Sequence, residues 1–161
     1  MEEDIRLRPA CAEDQKTIRR IIHDARINPL SLDWHHFILA VDKNDRVLGT
    51  GQIKTHGDGT CELASIAVIP DFQGKGIASR IILHLLGRNP PPLYLTCRSS
   101  LGPFYEKFGF VQLDRSDLKG YFFRLHRIGG LISRLGLTRD GMLVMGKKNN
   151  PARIQIELRG I

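Results

Sequence analysis

The chain has 161 residues, the size of one ordinary domain, with 42% hydrophobic and 25% charged residues. That composition excludes a disordered or fibrous chain, and the apolar runs are too short to cross a bilayer. The formal charge of +7 is unevenly spread: residues 1–114 hold 14 Lys/Arg and 14 Asp/Glu, residues 115–161 hold 10 and 3.

In chain order, Ile5 to Arg8 alternates apolar and polar residues and predicts a first strand. Ile18, Ile21, Ile22 and Ala25 recur at helical spacing, which predicts an amphipathic helix over residues 13–26, stopped by Asn28-Pro29. Residues 30–36 are ambiguous, with a short helix as one reading. Residues 37–41 and 46–54 predict an antiparallel hairpin about the turn 42–45. His56-Gly57-Asp58-Gly59 is a second turn. Residues 61–69 form a mostly apolar strand, as expected for cover on both faces. A loop over 70–75 leads into a helix over 76–86, and Pro90-Pro91-Pro92 ends that unit. Residues 93–97 predict a strand, 101–108 a short helix and 110–113 another strand. Residues 121–135 look helical, weakened by Gly129-Gly130, and 142–145 form a last strand.

This order, β-α-β-β-β-α-β-α-β-α-β, predicts an α/β (α+β) fold. Its mixed, mostly antiparallel sheet of about seven strands is flanked by helices. One domain is expected over residues 1–146, followed by a basic tail over 147–161. In the tail Ile154, Ile156 and Leu158 alternate with polar residues. Two readings stay open there, an added edge strand over residues 153–159, which allows a homodimer, or a disordered end.

Cys11, Cys61 and Cys97 are odd in number and widely spaced, so neither a disulfide framework nor a metal site is expected. The start Met1-Glu2-Glu3-Asp4 is acidic and no secretory signal follows, so a cytoplasmic protein without a membrane partner is expected. A pI of 9.7 raises nucleic acid as a partner. The neutral first 114 residues and the lack of an RNA-binding motif argue against it.

The most informative stretch is Ile66-Ala67-Val68-Ile69-Pro70-Asp71-Phe72-Gln73-Gly74-Lys75-Gly76-Ile77-Ala78-Ser79, which joins a buried strand to a helix. Two glycines allow a tight turn and close approach of a ligand. Free N–H groups at a helix start favour an anion, and Lys75 adds charge. A phosphate-cradling P-loop would need Ser or Thr after Lys75, where Gly76 stands. A dinucleotide fingerprint would need a third glycine, where Ser79 stands. Both readings fail.

Gln73-x-x-Gly76-x-Ala78 resembles the Q/R-x-x-G-x-G/A motif of the GNAT N-acetyltransferase superfamily, and Ile66-Ala67-Val68-x-Pro70 resembles its run-in. Pro103-Phe104-Tyr105-Glu106-Lys107-Phe108-Gly109-Phe110 resembles the family's F/LYEKxGF segment. The resemblance covers roughly residues 5–146. It implies acetyl-coenzyme A as cosubstrate and no metal. Backbone groups of Ile66, Ala67 and Val68 would hold the acetyl and pantetheine part, and Gln73, Gly74, Lys75, Gly76, Ile77, Ala78 and Ser79 the pyrophosphate. Tyr105 stands where similar enzymes place the acid that protonates the departing thiolate. Where the family often has an Asn, this chain has Ser99-Ser100, and Ser99 is the substitute expected to touch the cofactor.

Attack on a thioester needs a neutral amine, so a base must take its proton. Glu62 is the only charged residue in its strand and lies eleven residues before Gln73, the spacing of the glutamate base in histone-acetylating relatives. It is the expected base, directly or through water, with His35, His36 and His56 behind it. The resemblance places the acceptor, a small-molecule or peptide amine, against residues 28–36 and the basic stretch 115–139. Trp34, Tyr121, Phe122 and Phe123 are read first as core. The alternative function is a non-catalytic acetyl-coenzyme A sensor or partner-binding module on the same fold.

Overall fold

The computed structural model describes residues 4–118, 120–125, 127 and 141–148. The chain divides into two units, residues 1–90 and 91–161.

In the first unit β1 (Arg6–Pro9), β2 (Phe37–Val41), β3 (Val47–Thr55) and β4 (Cys61–Val68) form an antiparallel meander in that order. Helix α1 (Gln15–Asp24) follows β1 and buries Ile18, Ile21 and Ile22, which share one face at the i, i+3, i+4 spacing of a helix. They pack with Phe37, Leu39, Val41 and Ala67. Each such side chain contributes about 1.5–3 kcal/mol on burial. Helix α2 (Ile77–Arg88) covers the other face: Ile81 and Leu85 lie directly over Gly51 of β3. Cover on both sides is why β2 and β4 are nearly continuous apolar runs.

In the second unit β5 (Leu93–Arg98), β6 (Val111–Gln112) and β7 (Met142–Lys147) lie in the order β5-β7-β6, all antiparallel. Helix α3 (Gly102–Glu106) connects β5 to β6. The Lys147 ammonium of β7 donates to the Phe108 carbonyl just past α3 at 2.6 Å. Residues 120–125 are helical. They bury Phe122, stacked on Tyr94 at 5.0 Å, in a core with Leu113, Leu118 and Val144.

The seven strands among the described residues are those expected, with ends within two residues, and the mixed, mostly antiparallel class stands. The ambiguous stretch before β2 holds a 3-10 turn at Trp34–His36. Trp34 packs on the first core and Tyr121 and Phe123 on the second, as read from the sequence. The rest of the helix expected over 121–135 and the edge strand expected at 153–159 lie outside the described residues. No described helix is long and apolar enough to cross a membrane.

Candidate functional site

At the end of β4 the chain makes a 3-10 turn at Pro70–Phe72 and then enters α2. Gln73 braces this loop: its backbone N–H donates to the Pro70 carbonyl at 3.1 Å and its side-chain amide to the Val68 carbonyl at 2.9 Å. Gly74 and Gly76 have φ of 76° and 77°, a region that costs a residue with a Cβ about 1–2 kcal/mol. A Cβ at either position would meet nothing within 4 Å, so the loop is open where a ligand would approach. Ile77, Ala78 and Ser79 open α2, and the first N–H groups of a helix have no acceptor inside it. They point out at the positive end of the helix dipole.

Cations stand around this loop. The Lys75 ammonium lies 4.5 Å from the centre of the Phe72 ring and the Arg46 guanidinium carbon 5.6 Å from it. A cleft of about 420 Å³ adjoins the loop, lined among others by Arg20, Arg46, Ile69, Asp71 and Gln73. Two left-handed glycines, unmet helix N–H groups and nearby cations fit a phosphate or diphosphate.

Ile66, Ala67 and Val68 lie just before the loop, where β4 is irregular. Thr50 pairs with Ala67 and Gln52 with Ala64, so Gly51 of β3 faces two residues, Ser65 and Ile66. This is a β-bulge, which re-aims the strand's backbone groups. Ser65 takes φ 57° although it is not glycine. Buried side chains hold it there: Thr50 Oγ1 donates to the Ser65 carbonyl at 2.9 Å, and Gln52 Nε2 to Ser65 Oγ at 2.9 Å. Gln52 Nε2 also donates to the Ser31 carbonyl at 3.1 Å. Sequence reasoning missed Thr50, Gln52 and Ser65. The signal was present, three polar residues inside apolar strands. Gln52 is fully buried and its Oε1 has no hydrogen-bond partner. An unmet buried acceptor of this kind costs about 1–3 kcal/mol.

Glu62 is buried, at 7% exposure, rather than facing solvent. Its Oε2 lies 2.8 Å from His56 Nε2. Cross-strand register sets Lys54 opposite Glu62, on the same face as Gln52. The Lys54 ammonium donates to the Leu30 carbonyl at 2.8 Å. Burial draws that ammonium below its usual 10.5, while the Glu62 charge works the other way. Gln15 pins the same segment: its Nε2 donates to the Leu32 carbonyl at 2.7 Å and its Oε1 accepts from the Trp34 N–H at 3.1 Å. Outside this strap is a cleft of about 620 Å³, lined by residues of α1 and of the segment 29–33. His35 is exposed and bonded to Asp33 at 2.6 Å.

In the second unit Tyr105 sits on α3, 8% exposed. The Phe104 and Phe110 rings meet it edge-on at 5.2 and 6.3 Å. Burial, with Cys97 as a lesser cause, pushes its phenol well above the usual 10. The hydroxyl therefore keeps its proton at any working pH and is always a donor. Ser99 begins a 3-10 turn after β5 and its N–H donates to the Gly141 carbonyl at 2.7 Å. Of the basic stretch 115–139, Lys119, Arg134 and Arg139 lie outside the described residues. Among the described residues no group of three His, Cys, Asp or Glu is placed to hold a metal.

Residues 33–112, which include the bulge, the loop, Glu62 and Tyr105, match the family model described as acetyltransferase (GNAT) domain. Mycothiol acetyltransferase of Saccharopolyspora erythraea is 46% identical over 48 residues, 28% of this chain and 16% of that protein. N-acetylglutamate synthase of Neisseria gonorrhoeae, crystallised with coenzyme A and L-arginine, superposes with a TM-score of 0.68 at 18% identity, over 92% of this chain and 34% of that one. A GNAT-family acetyltransferase from Staphylococcus aureus gives 0.65 at 15% identity, over 89% and 98%. The chain thus spans about a sixth of the curated relative and about a third of the synthase. With the family match lying on the strand, loop and helix of the candidate anion site, and with the fold shared, the chain belongs to the GNAT acetyltransferase family.

Proposed function

We propose that the protein is an N-acetyltransferase that moves the acetyl group of acetyl-coenzyme A to a primary amine by direct transfer in a ternary complex. The observation that carries this is the open left-handed loop at the start of α2, inside the stretch that matches the family. Gly74, Lys75, Gly76, Ile77, Ala78 and Ser79 hold the pyrophosphate through backbone N–H groups and the Lys75 charge. Gln73 keeps the loop in shape through its bond to Val68. Ile66, Ala67 and Val68 offer backbone groups to the pantetheine arm, and Ser99 a hydroxyl. The coenzyme supplies an acyl thioester, a carbonyl that an amine can attack.

Glu62 takes the proton of the incoming ammonium, directly or through water, so that the nitrogen has a lone pair. An N–H of the Ile66–Val68 segment polarises the thioester carbonyl. As the C–N bond forms the C–S bond breaks, and Tyr105 donates to the departing sulfur. A free thiol has a pKa near 8.5, and the Tyr105 phenol is held above its usual 10. Full transfer is therefore uphill at that step. Tyr105 acts first as a hydrogen-bond donor, and a second proton, lost by the nitrogen once the C–N bond has formed, neutralises the thiolate.

The acceptor is a small-molecule or peptide amine that enters along the cleft at residues 29–33. The catalytic domain spans residues 1–146, a basic tail follows over 147–161, and the cytoplasm is the proposed location. Calorimetric titration with acetyl-coenzyme A, beside Gly76→Asp, tests the reading. Micromolar binding that the variant loses is expected, followed by thiol release when primary amines are screened. Absence of binding at low salt refutes it.

A further inference from the structure

The hairpin between β3 and β4 fixes a histidine against the proposed base. Hydrogen bonds close the turn: the His56 N–H donates to the Thr60 carbonyl and the Gly59 N–H to the His56 carbonyl, both at 2.9 Å. Asp58 Oδ1 accepts from the Thr60 N–H at 3.0 Å and from its hydroxyl at 2.7 Å. With Thr55 opposite Cys61 and Lys54 opposite Glu62, His56 lies diagonally across from Glu62 on the same face. The two side chains, 14% and 9% exposed, meet at 2.8 Å between Nε2 and Oε2. Among the described residues, the charged or titratable groups near this corner include Lys54 on β3, opposite Glu62, Asp58 in the turn, and His35 and His36 in the 3-10 turn against β3.

A carboxylate alone is a poor resting place for an ammonium's proton. An ordinary Glu near 4.3 and an alkyl ammonium near 10.4 differ by about six orders of magnitude in acidity. An imidazole near 6.5 narrows the gap to about four. A carboxylate bonded to one ring nitrogen also steadies the imidazolium that forms.

We propose that His56 and Glu62 form one proton-accepting dyad, in which Glu62 orients the ring and the amine's proton comes to rest on His56. This rests on the acetyltransferase reading and deepens it. In the balanced step the N–H bond of the ammonium breaks and its electron pair stays on nitrogen. The proton passes to the imidazole ring, directly or through water. The Nε2–H···Oε2 bond is kept in both states, and the result is an imidazolium against the Glu62 carboxylate. The ring, whose side chain is 14% exposed, then returns the proton to solvent.

Two measurements test the dyad. The first follows the His56 Nε2–H proton by NMR and needs no acceptor. Held against Glu62 Oε2, it should be protected from solvent exchange in the wild type and lose that protection in Glu62→Ala. A wild-type proton that exchanges as fast as in Glu62→Ala overturns the pairing. The second uses an amine that the wild type acetylates, found by screening primary amines with acetyl-coenzyme A and reading free thiol. His56→Gln keeps an N–H donor for Glu62 and cannot hold a proton. It should cut kcat about 100-fold at pH 7 with KM for acetyl-coenzyme A unchanged. The loss should shrink as pH nears the amine's own pKa, and adding Glu62→Gln should cost little more. His56→Gln turnover within threefold of wild type across pH 6–9 overturns the dyad alone. A wild type that neither binds acetyl-coenzyme A nor releases thiol overturns the acetyltransferase reading and the dyad with it.

Discussion

Gly51 sits where β3, the β4 bulge and α2 come together, so adding one methyl group there tests the packing that positions the site. In Gly51→Ala the new Cβ would lie 2.5 Å from Ile81 Cγ2, 2.7 Å from Ile66 Cδ1 and 3.2 Å from Leu85 Cδ1. The first two distances are inside any real carbon–carbon contact, so side chains must move. Ile81 is fully buried and Leu85 nearly so, which leaves little room for them to move into. Overpacking of a filled core costs about 1–3 kcal/mol. Alanine's stiffer unfolded chain offsets about 0.4–1 kcal/mol of that. A net loss of about 1–2 kcal/mol follows, and for a domain of this size about 2–4 °C in Tm per kcal/mol. Urea unfolding should show a lower midpoint at unchanged slope. Gly57→Ala and Gly87→Ala are the controls, because a Cβ at either meets nothing within 4 Å. Gly57→Ala should be neutral, and Gly87→Ala, inside α2, should gain about 0.5–1 kcal/mol. Gly51→Ala as stable as Gly57→Ala would refute the close packing of α2 on the bulge.

Three further outcomes are expected. Asp14 accepts two hydrogen bonds from Arg8, at 2.7 and 3.1 Å, which with the Cys11 N–H lower its carboxyl from 3.8 to about 2. A depressed carboxylate stabilises above its unfolded pKa and loses that effect as pH falls through 4 towards 2. Asp14→Asn should therefore cost about 1–2 kcal/mol at pH 7, after allowance for solvent screening, and much less near pH 2 in paired denaturant titrations. Gln52→Ala removes the donor to Ser65 Oγ and the Ser31 carbonyl and should cost about 2–3 kcal/mol by the same method; unchanged stability would mean that Gln52 does not hold the bulge. Tyr105→Phe should lower thiol release 100-fold or more with acetyl-coenzyme A affinity within twofold, and full activity in that variant would remove the acid from the mechanism.

Period-two runs and one clear helical stripe made the elements of the first unit legible, because the same apolar faces that form the pattern form the core. Ile18, Ile21 and Ile22 announce α1 and then bury against Phe37 and Leu39. The loop at Gly74–Gly76 was legible for a local reason: only glycine takes φ near 76° without cost, so the backbone geometry is written in the residue type. The bulge was not. Ser65 enters the left-handed region because Thr50 and Gln52 of a neighbouring strand hold it there; the three polar residues in apolar strands mark buried partners, but the local sequence Ala64-Ser65-Ile66 does not say that they pair or that the strand bulges.

Glu62 falls between these cases. A lone charge in an apolar strand marks a residue whose burial needs a partner, but not which partner. The hairpin register supplies the answer. The sequence places His56 in a turn and, with His35 and His36, behind Glu62 as a base; the His56–Thr60 bond extends the ladder past the strand ends and brings the His56 ring onto the Glu62 face. Gly59, at φ 82°, closes the turn that sets this register, as in a three-residue hairpin loop. A change in turn length by one residue would slip the register and send His56 to the opposite face. The proposed base chemistry therefore depends on turn geometry as much as on the carboxylate itself. A one-residue insertion between Gly57 and Gly59 should abolish the His56–Glu62 contact while leaving the loop at Gly74–Gly76 able to bind acetyl-coenzyme A.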